Sequence, residues 1–159
     1  MRLARKRRPG ILLLPVLIAL AGYCNLSSAK ETQTHEPVFK YAGGTESISR
    51  NCAGILRLSD QEMVFHCPDA TVSIPYSNIQ VMQFRPNLSR EVRKIKVKWR
   101  LHPLVGSSKN HLFAIVFKQD SRTHILVLDV AETDMVPYLA EIDLRAGQRV
   151  EVYQLPVEN

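Results

Sequence analysis

The stretch Arg93-Lys94-Ile95-Lys96-Val97-Lys98-Trp99-Arg100-Leu101 alternates charge and apolar bulk with period two. That is the pattern of a β-strand with one face in a core and one in water, because successive side chains point to opposite faces. Ile95, Val97, Trp99 and Leu101 are expected on the buried face, and Lys94, Lys96, Lys98 and Arg100 on the wet one. The stretch holds the chain's only tryptophan and its densest run of positive charge outside the extreme N-terminus. It reads as the central strand of the fold, and its four cations are the candidate binding face.

Working outward, the charge around this stretch is local. Residues 85–109 carry eight basic residues and one acid, Glu91, whereas residues 129–158 carry seven acids against Arg145 and Arg149. The chain as a whole has a formal charge of +6, which invites a nucleic-acid partner. Five of the 21 basic residues (Arg2, Arg5, Lys6, Arg7 and Arg8) lie in the first 29 positions, where there is no acid. The remainder has 16 basic and 15 acidic residues, so whole-chain basicity is mostly a feature of the N-terminus. No aromatic is interleaved on the basic face, since Trp99 has the opposite parity, and nucleic acid is not expected.

That N-terminus has the three regions of a secretory signal peptide, residues 1–29: a basic leader, an apolar run over 11–22 interrupted by Pro15, and small residues after it. The run is short for a spanning helix, which needs about 20 apolar residues. Cleavage after Ala29 is preferred over cleavage after Ala21, because it leaves residues 22–29 as a polar third region. The alternatives to a free exported (periplasmic or secreted) protein are an uncleaved N-terminal anchor and lipidation of Cys24, although Tyr23 stands where a lipobox needs a small residue. Membrane association is expected to be peripheral at most. Export leaves two cysteines, Cys52 and Cys67, in an oxidising compartment, the setting for a disulfide; two unpaired buried thiols are the alternative.

Residues 30–51 are polar, with Gly43-Gly44 and no sustained period, and read as a flexible lead-in with a short extended piece over 37–41. From Cys52 the texture changes. Runs at 52–59 and 62–67 are joined by Ser59-Asp60-Gln61-Glu62, a hairpin in which Cys52 faces Cys67 if the turn centres between Ser59 and Asp60. A one-residue shift of that centre offsets the pair while keeping a bridge within reach. Further strands are expected over 70–76, 79–84, 93–101, 111–118 and 122–130. The run over 111–118 is almost continuously apolar, so it should be covered on both faces. Seven short strands with antiparallel turns point to a barrel or sandwich. Then Met135, Leu139, Ile142 and Ala146 recur at helical spacing, with Glu132-Thr133-Asp134 as cap and first-turn acids and Gly147 at the C′ position. Residues 148–159 form a tail, with one more extended piece expected over 149–155.

Gly54-Ile55-Leu56-Arg57-Leu58, Met63-Val64-Phe65 and Ile74-Pro75-Tyr76 with Ile79 resemble the Gly-x-Leu-x-Leu, Leu-x-Phe and Ile-Pro-Tyr-x-x-Ile run of bacterial members of the pleckstrin-homology-like (PH/GRAM-type) barrel superfamily. The resemblance covers residues 52–147. It implies a mainly β fold: a seven-stranded antiparallel barrel of two near-orthogonal sheets, capped by one C-terminal helix. It carries no activity with it. Phosphoinositide-binding members use basic residues around the first strand loop, where this chain has Asp60-Gln61-Glu62, so that pocket is not expected.

The chain has no nucleophile elbow, zincin motif, P-loop or dinucleotide fingerprint. Its five histidines have no partner at metal-ligand spacing within their own elements, and His66 beside Cys67 on a strand points to the opposite face. No catalytic residue, metal or cofactor is expected. The expectation is an exported, non-catalytic binding or scaffold module that docks an anionic envelope component or an acidic protein through Lys94, Lys96, Lys98 and Arg100. The competing reading of these lysines is a solvated face that blocks unwanted strand pairing. The alternative function is a structural subunit of an envelope assembly, acting through the edge at 70–76 or the C-terminal tail.

Overall fold

The computed structural model describes residues 36–102 and 110–152. The signal peptide expected over residues 1–29, Cys24, residues 103–109 and the end of the tail lie outside the described residues.

Nine strands form one sheet: β1 (Phe39–Gly44), β2 (Ala53–Leu58), β3 (Glu62–Cys67), β4 (Ala70–Pro75), β5 (Ile79–Arg85), β6 (Arg100–Leu101), β7 (Asn110–Gln119), β8 (Arg122–Ala131) and β9 (Glu151–Val152). Their order is β4-β3-β2-β1-β8-β7-β5-β9, with β6 paired to β1. The seven-stranded closed barrel expected from the sequence is therefore corrected. Among the described residues the sheet is open, ending at β4 on one side and at the two-residue β9 on the other. Among the described residues there are also two α-helices, α1 (Arg90–Arg93) and α2 (Glu132–Ala146), and a short 3-10 turn at Tyr76–Asn78.

The strand in the polar lead-in, expected only as a short extended piece over 37–41, matters most. β1 sits in the middle of the sheet, antiparallel to β8 through pairs such as Lys40–Asp129 and Gly44–Leu126. Its other edge is divided between β2, at Phe39–Gly54, and β6, at Gly43–Leu101. The glycine pair that looked like flexibility serves close approach instead. A Cβ on Gly43 would lie 2.2 Å from the Arg100 carbonyl oxygen, and one on Gly44 would lie 2.1 Å from that of Ile125.

The sheet is apolar on both faces. Phe39, Tyr41, Phe65, Ile74, Phe113, Ile115, Phe117 and Leu128 belong to the larger core, which Met135 and Ile142 of α2 complete. Ala42, Leu112, Ala114, Val116, Ile125 and Val127 form a second cluster with Leu88 and Val92. The near-continuous apolar run of β7 is thus covered on both faces, as its composition requires.

What covers the second face is the basic stretch itself, and this overturns its reading as the central strand. Ser89 Oγ accepts from the Val92 N–H at 3.2 Å and caps α1, which takes up Arg90–Arg93. Lys94 continues in the helical region, and the Val97 N–H then bonds the Ile95 carbonyl at 2.9 Å, a turn too tight for an extended ladder. Only Arg100 and Leu101 remain as strand. Ile95, Val97 and Trp99 are half-buried against the second cluster, so they do not join Phe113, Ile115, Phe117 and Leu126, which pack on the other face. Leu101, expected in the core, is 45% exposed.

The hairpin takes the shifted register. Ile55 faces His66 and Leu58 faces Met63, so the turn centres one residue later than the arrangement that sets Cys52 opposite Cys67. The cysteines still meet at disulfide distance, with Cα atoms 6.0 Å apart. Helix α2 ends as its sequence indicates, Gly147 adopting φ 62° with its N–H on the Asp143 carbonyl. Its start differs: Ala131 is the N-cap and makes no side-chain cap bond, so Glu132 and Asp134 act only as first-turn acids favourable to the helix dipole. Arg145 Nη1 reaches across to Asp60 Oδ1 at 2.5 Å, tying α2 to the β2–β3 turn.

Candidate anion-binding surface

Lys94, Lys96, Lys98 and Arg100 are all exposed, while Ile95, Val97 and Trp99 between them are half-buried. The alternation seen in the sequence is real, but its origin is a chain laid flat on an apolar sheet face rather than a strand within the sheet. Every second side chain contacts the second cluster and its neighbours point to water. Among the described residues Lys96, Lys98 and Arg100 enter no ion pair. Near Lys94, the Glu91 carboxyl lies below the usual carboxylate range. Its hydrogen bonds to backbone and to Ser89 are the main cause, and Arg85 and Lys94 add to it.

The C-terminal end of this segment borders a groove of about 390 Å³, lined by residues 44–48 and by Lys98, Trp99, Arg100 and His102. Its first wall is held rigidly. The Thr45 N–H bonds the Ile125 carbonyl at 2.9 Å, the Ile125 N–H returns to Thr45 Oγ1 at 3.1 Å, and Tyr41 Oη donates to the Glu46 carbonyl at 2.8 Å. The second wall is held by the His102 N–H on the Ala42 carbonyl at 2.8 Å, with the His102 ring edge-on to Tyr41.

Sequence reasoning missed one pair at this site. Glu46 Oε1 lies 2.8 Å from His124 Nδ1 and accepts from Thr45 Oγ1 at 3.1 Å. A carboxylate accepts, so the proton sits on Nδ1. The His124 ring stacks on Phe117 at 5.3 Å. The two residues are 78 positions apart, and no periodicity links the turn after β1 to the start of β8. The consequence is geometric: the Glu46 carboxylate is held through Oε1 by His124 and Thr45, and its negative charge stands in the groove with the positive charges of Lys98 and Arg100.

Among the described residues no group of three or more His, Cys, Asp or Glu is placed to hold a metal, and no helix is long and apolar enough to cross a membrane. No protein-family model matches the chain, and no curated protein is significantly similar to it.

Proposed function

We propose that the protein is an exported, non-catalytic binding module that docks an anionic envelope component or an acidic protein through Lys94, Lys96, Lys98 and Arg100. The observation that carries this reading is the exposure of all four cations on a segment fixed to the sheet by Ile95, Val97 and Trp99. The same anchoring that covers the second cluster holds the four cations in fixed relative positions. Near an anionic surface each such cation contributes about 1 kcal/mol, so the set gives reversible attachment that weakens as salt screens it. Kinship with the pleckstrin-homology-like superfamily stays part of this proposal on the Gly54–Leu58 sequence pattern.

The test is the triple variant Lys94→Glu, Lys96→Glu, Lys98→Glu. These side chains are exposed, so its thermal unfolding should match the parent while salt-sensitive binding to envelope fractions is lost. Absence of such binding by the wild type at low salt would end this reading.

The alternative, a structural subunit acting through strand contacts, is supported by the position of β4 at the end of the sheet and by the lack of charge in Ala70–Pro75. Association that survives high salt and is lost on Thr71→Lys would favour it. The tail is a poorer candidate, because Val150 is buried and Glu151–Val152 pairs with β5.

A further inference from the structure

The groove at the end of the basic segment differs in kind from the flat charged face beside it. It is concave, it lies within the size range of small-molecule sites, and it combines three chemistries. Lys98 and Arg100 supply positive charge two residues apart on one side of the chain. Trp99 between them, half-buried against the second cluster, contributes the part of its ring that lines the groove. The turn after β1 supplies the exposed Ser47, whose hydroxyl can meet a ligand hydroxyl. Glu46 opposes an anion; its carboxylate is held by His124 and Thr45 through Oε1, and Lys98 and Arg100 together outweigh its single charge. Both walls are fixed to the sheet by backbone hydrogen bonds, through Thr45 to β8 and through His102 to β1, so the site is formed before a ligand arrives.

From this geometry we infer that the groove is a subsite for one acidic sugar unit, a pyranose bearing a carboxylate. The carboxylate would pair with Arg100 and Lys98, the apolar ring face would lie against Trp99, and the hydroxyls would meet the 44–48 turn. The inference rests on the anionic-partner reading and deepens it: the flat face of Lys94 and Lys96 provides long-range attraction, and the groove provides recognition. A flat cationic face alone would serve a lipid surface equally well. A walled site with one aromatic ring fits a single sugar better, and charge-assisted pairing to the planar Arg100 guanidinium favours a planar carboxylate.

The chain's single tryptophan lines the groove, so its emission reports occupancy directly. The full exported chain is titrated at low salt with a galacturonic acid trisaccharide, a neutral galactose trisaccharide, inorganic phosphate, and vesicles containing anionic lipid. A saturable emission change with the acidic sugar is expected, with the neutral sugar weaker by about tenfold or more, the loss of one charge-assisted contact. Ser47→Phe places bulk at an exposed groove position and should abolish the sugar response while leaving salt-sensitive envelope binding intact. Lys94→Glu with Lys96→Glu, outside the groove, should do the reverse. The subsite is overturned if the acidic sugar gives no saturable change, if Ser47→Phe responds as the wild type does, or if phosphate or vesicles alone reproduce the full change. Envelope binding that persists in any of these cases leaves the docking reading standing; loss of both removes both.

Discussion

Tyr41 shows how a single side chain serves both the core and the groove. It is 1% exposed, its ring lies in the larger core, and its hydroxyl reaches the Glu46 carbonyl. Burial, and secondly the nearby Glu46 carboxylate, pushes its ionisation up to about 12. The folded state therefore holds the Tyr41 proton over a range where the unfolded chain releases it. The resulting stability is fully present below pH 10 and is lost as pH rises from 10 through 12. Urea unfolding followed across that window should show falling stability, with Tyr41 contributing at most about 3 kcal/mol of the decline. In Tyr41→Phe the decline should be shallower. Stability at neutral pH should drop by only about 1 kcal/mol, for the lost hydrogen bond. An unchanged slope would mean that Tyr76 and Tyr138, both also raised by burial, account for the alkaline loss.

At the scale of elements, the outer layer over residues 88–99 is held less firmly than the sheet it covers, since Leu88 and Val92 are buried but Ile95, Val97 and Trp99 only half so. Trp99→Ala should loosen this layer without unfolding the sheet. Hydrogen exchange should quicken across residues 95–102 by about tenfold or more, with protection of β7 and β8 retained. Global unfolding by the same substitution would show that the layer and the sheet form one cooperative unit. The element scale is also where sequence was most and least informative. Met135 and Ile142 carried enough periodicity to place α2, and Gly147 marked its end. The Asn110–Gln119 strand was legible from its apolar density alone, including its burial on both faces. The segment after Ser89 was not, because a strand in a sheet and a chain laid flat on one produce the same period of two. Ser89 as a cap three residues before Val92 was the available signal against a strand. β1 was only half legible, as an extended piece over 37–41, for a different reason: Gly43 and Gly44 are needed for close backbone approach, yet glycine pairs depress any strand reading.

For the whole molecule, the covalent tie between Cys52 and Cys67 and the position of β1 set the terms of stability. The bridge closes a span of 15 residues between the approach to β2 and the end of β3. Opening it with reductant should lower unfolding free energy by about 3 kcal/mol, read as a shift of the urea midpoint between oxidised and reduced protein. A midpoint that does not move would indicate that the thiols are free in solution. The sheet order adds a consequence for how the chain is made. β2, β3 and β4 pair with their neighbours in sequence, as do β7 and β8, so each group needs only local contacts. β1 alone joins the groups, and Lys40 pairs with Asp129. As the chain emerges N-terminus first, β1 can find β2 early, but its other edge has no partner until residues 126–129 appear. Completion of the sheet is thus a late, high-contact-order step. Throughout that interval an unpaired edge is available to other chains, and a factor that shields extended segments would have its greatest effect at Phe39–Gly44.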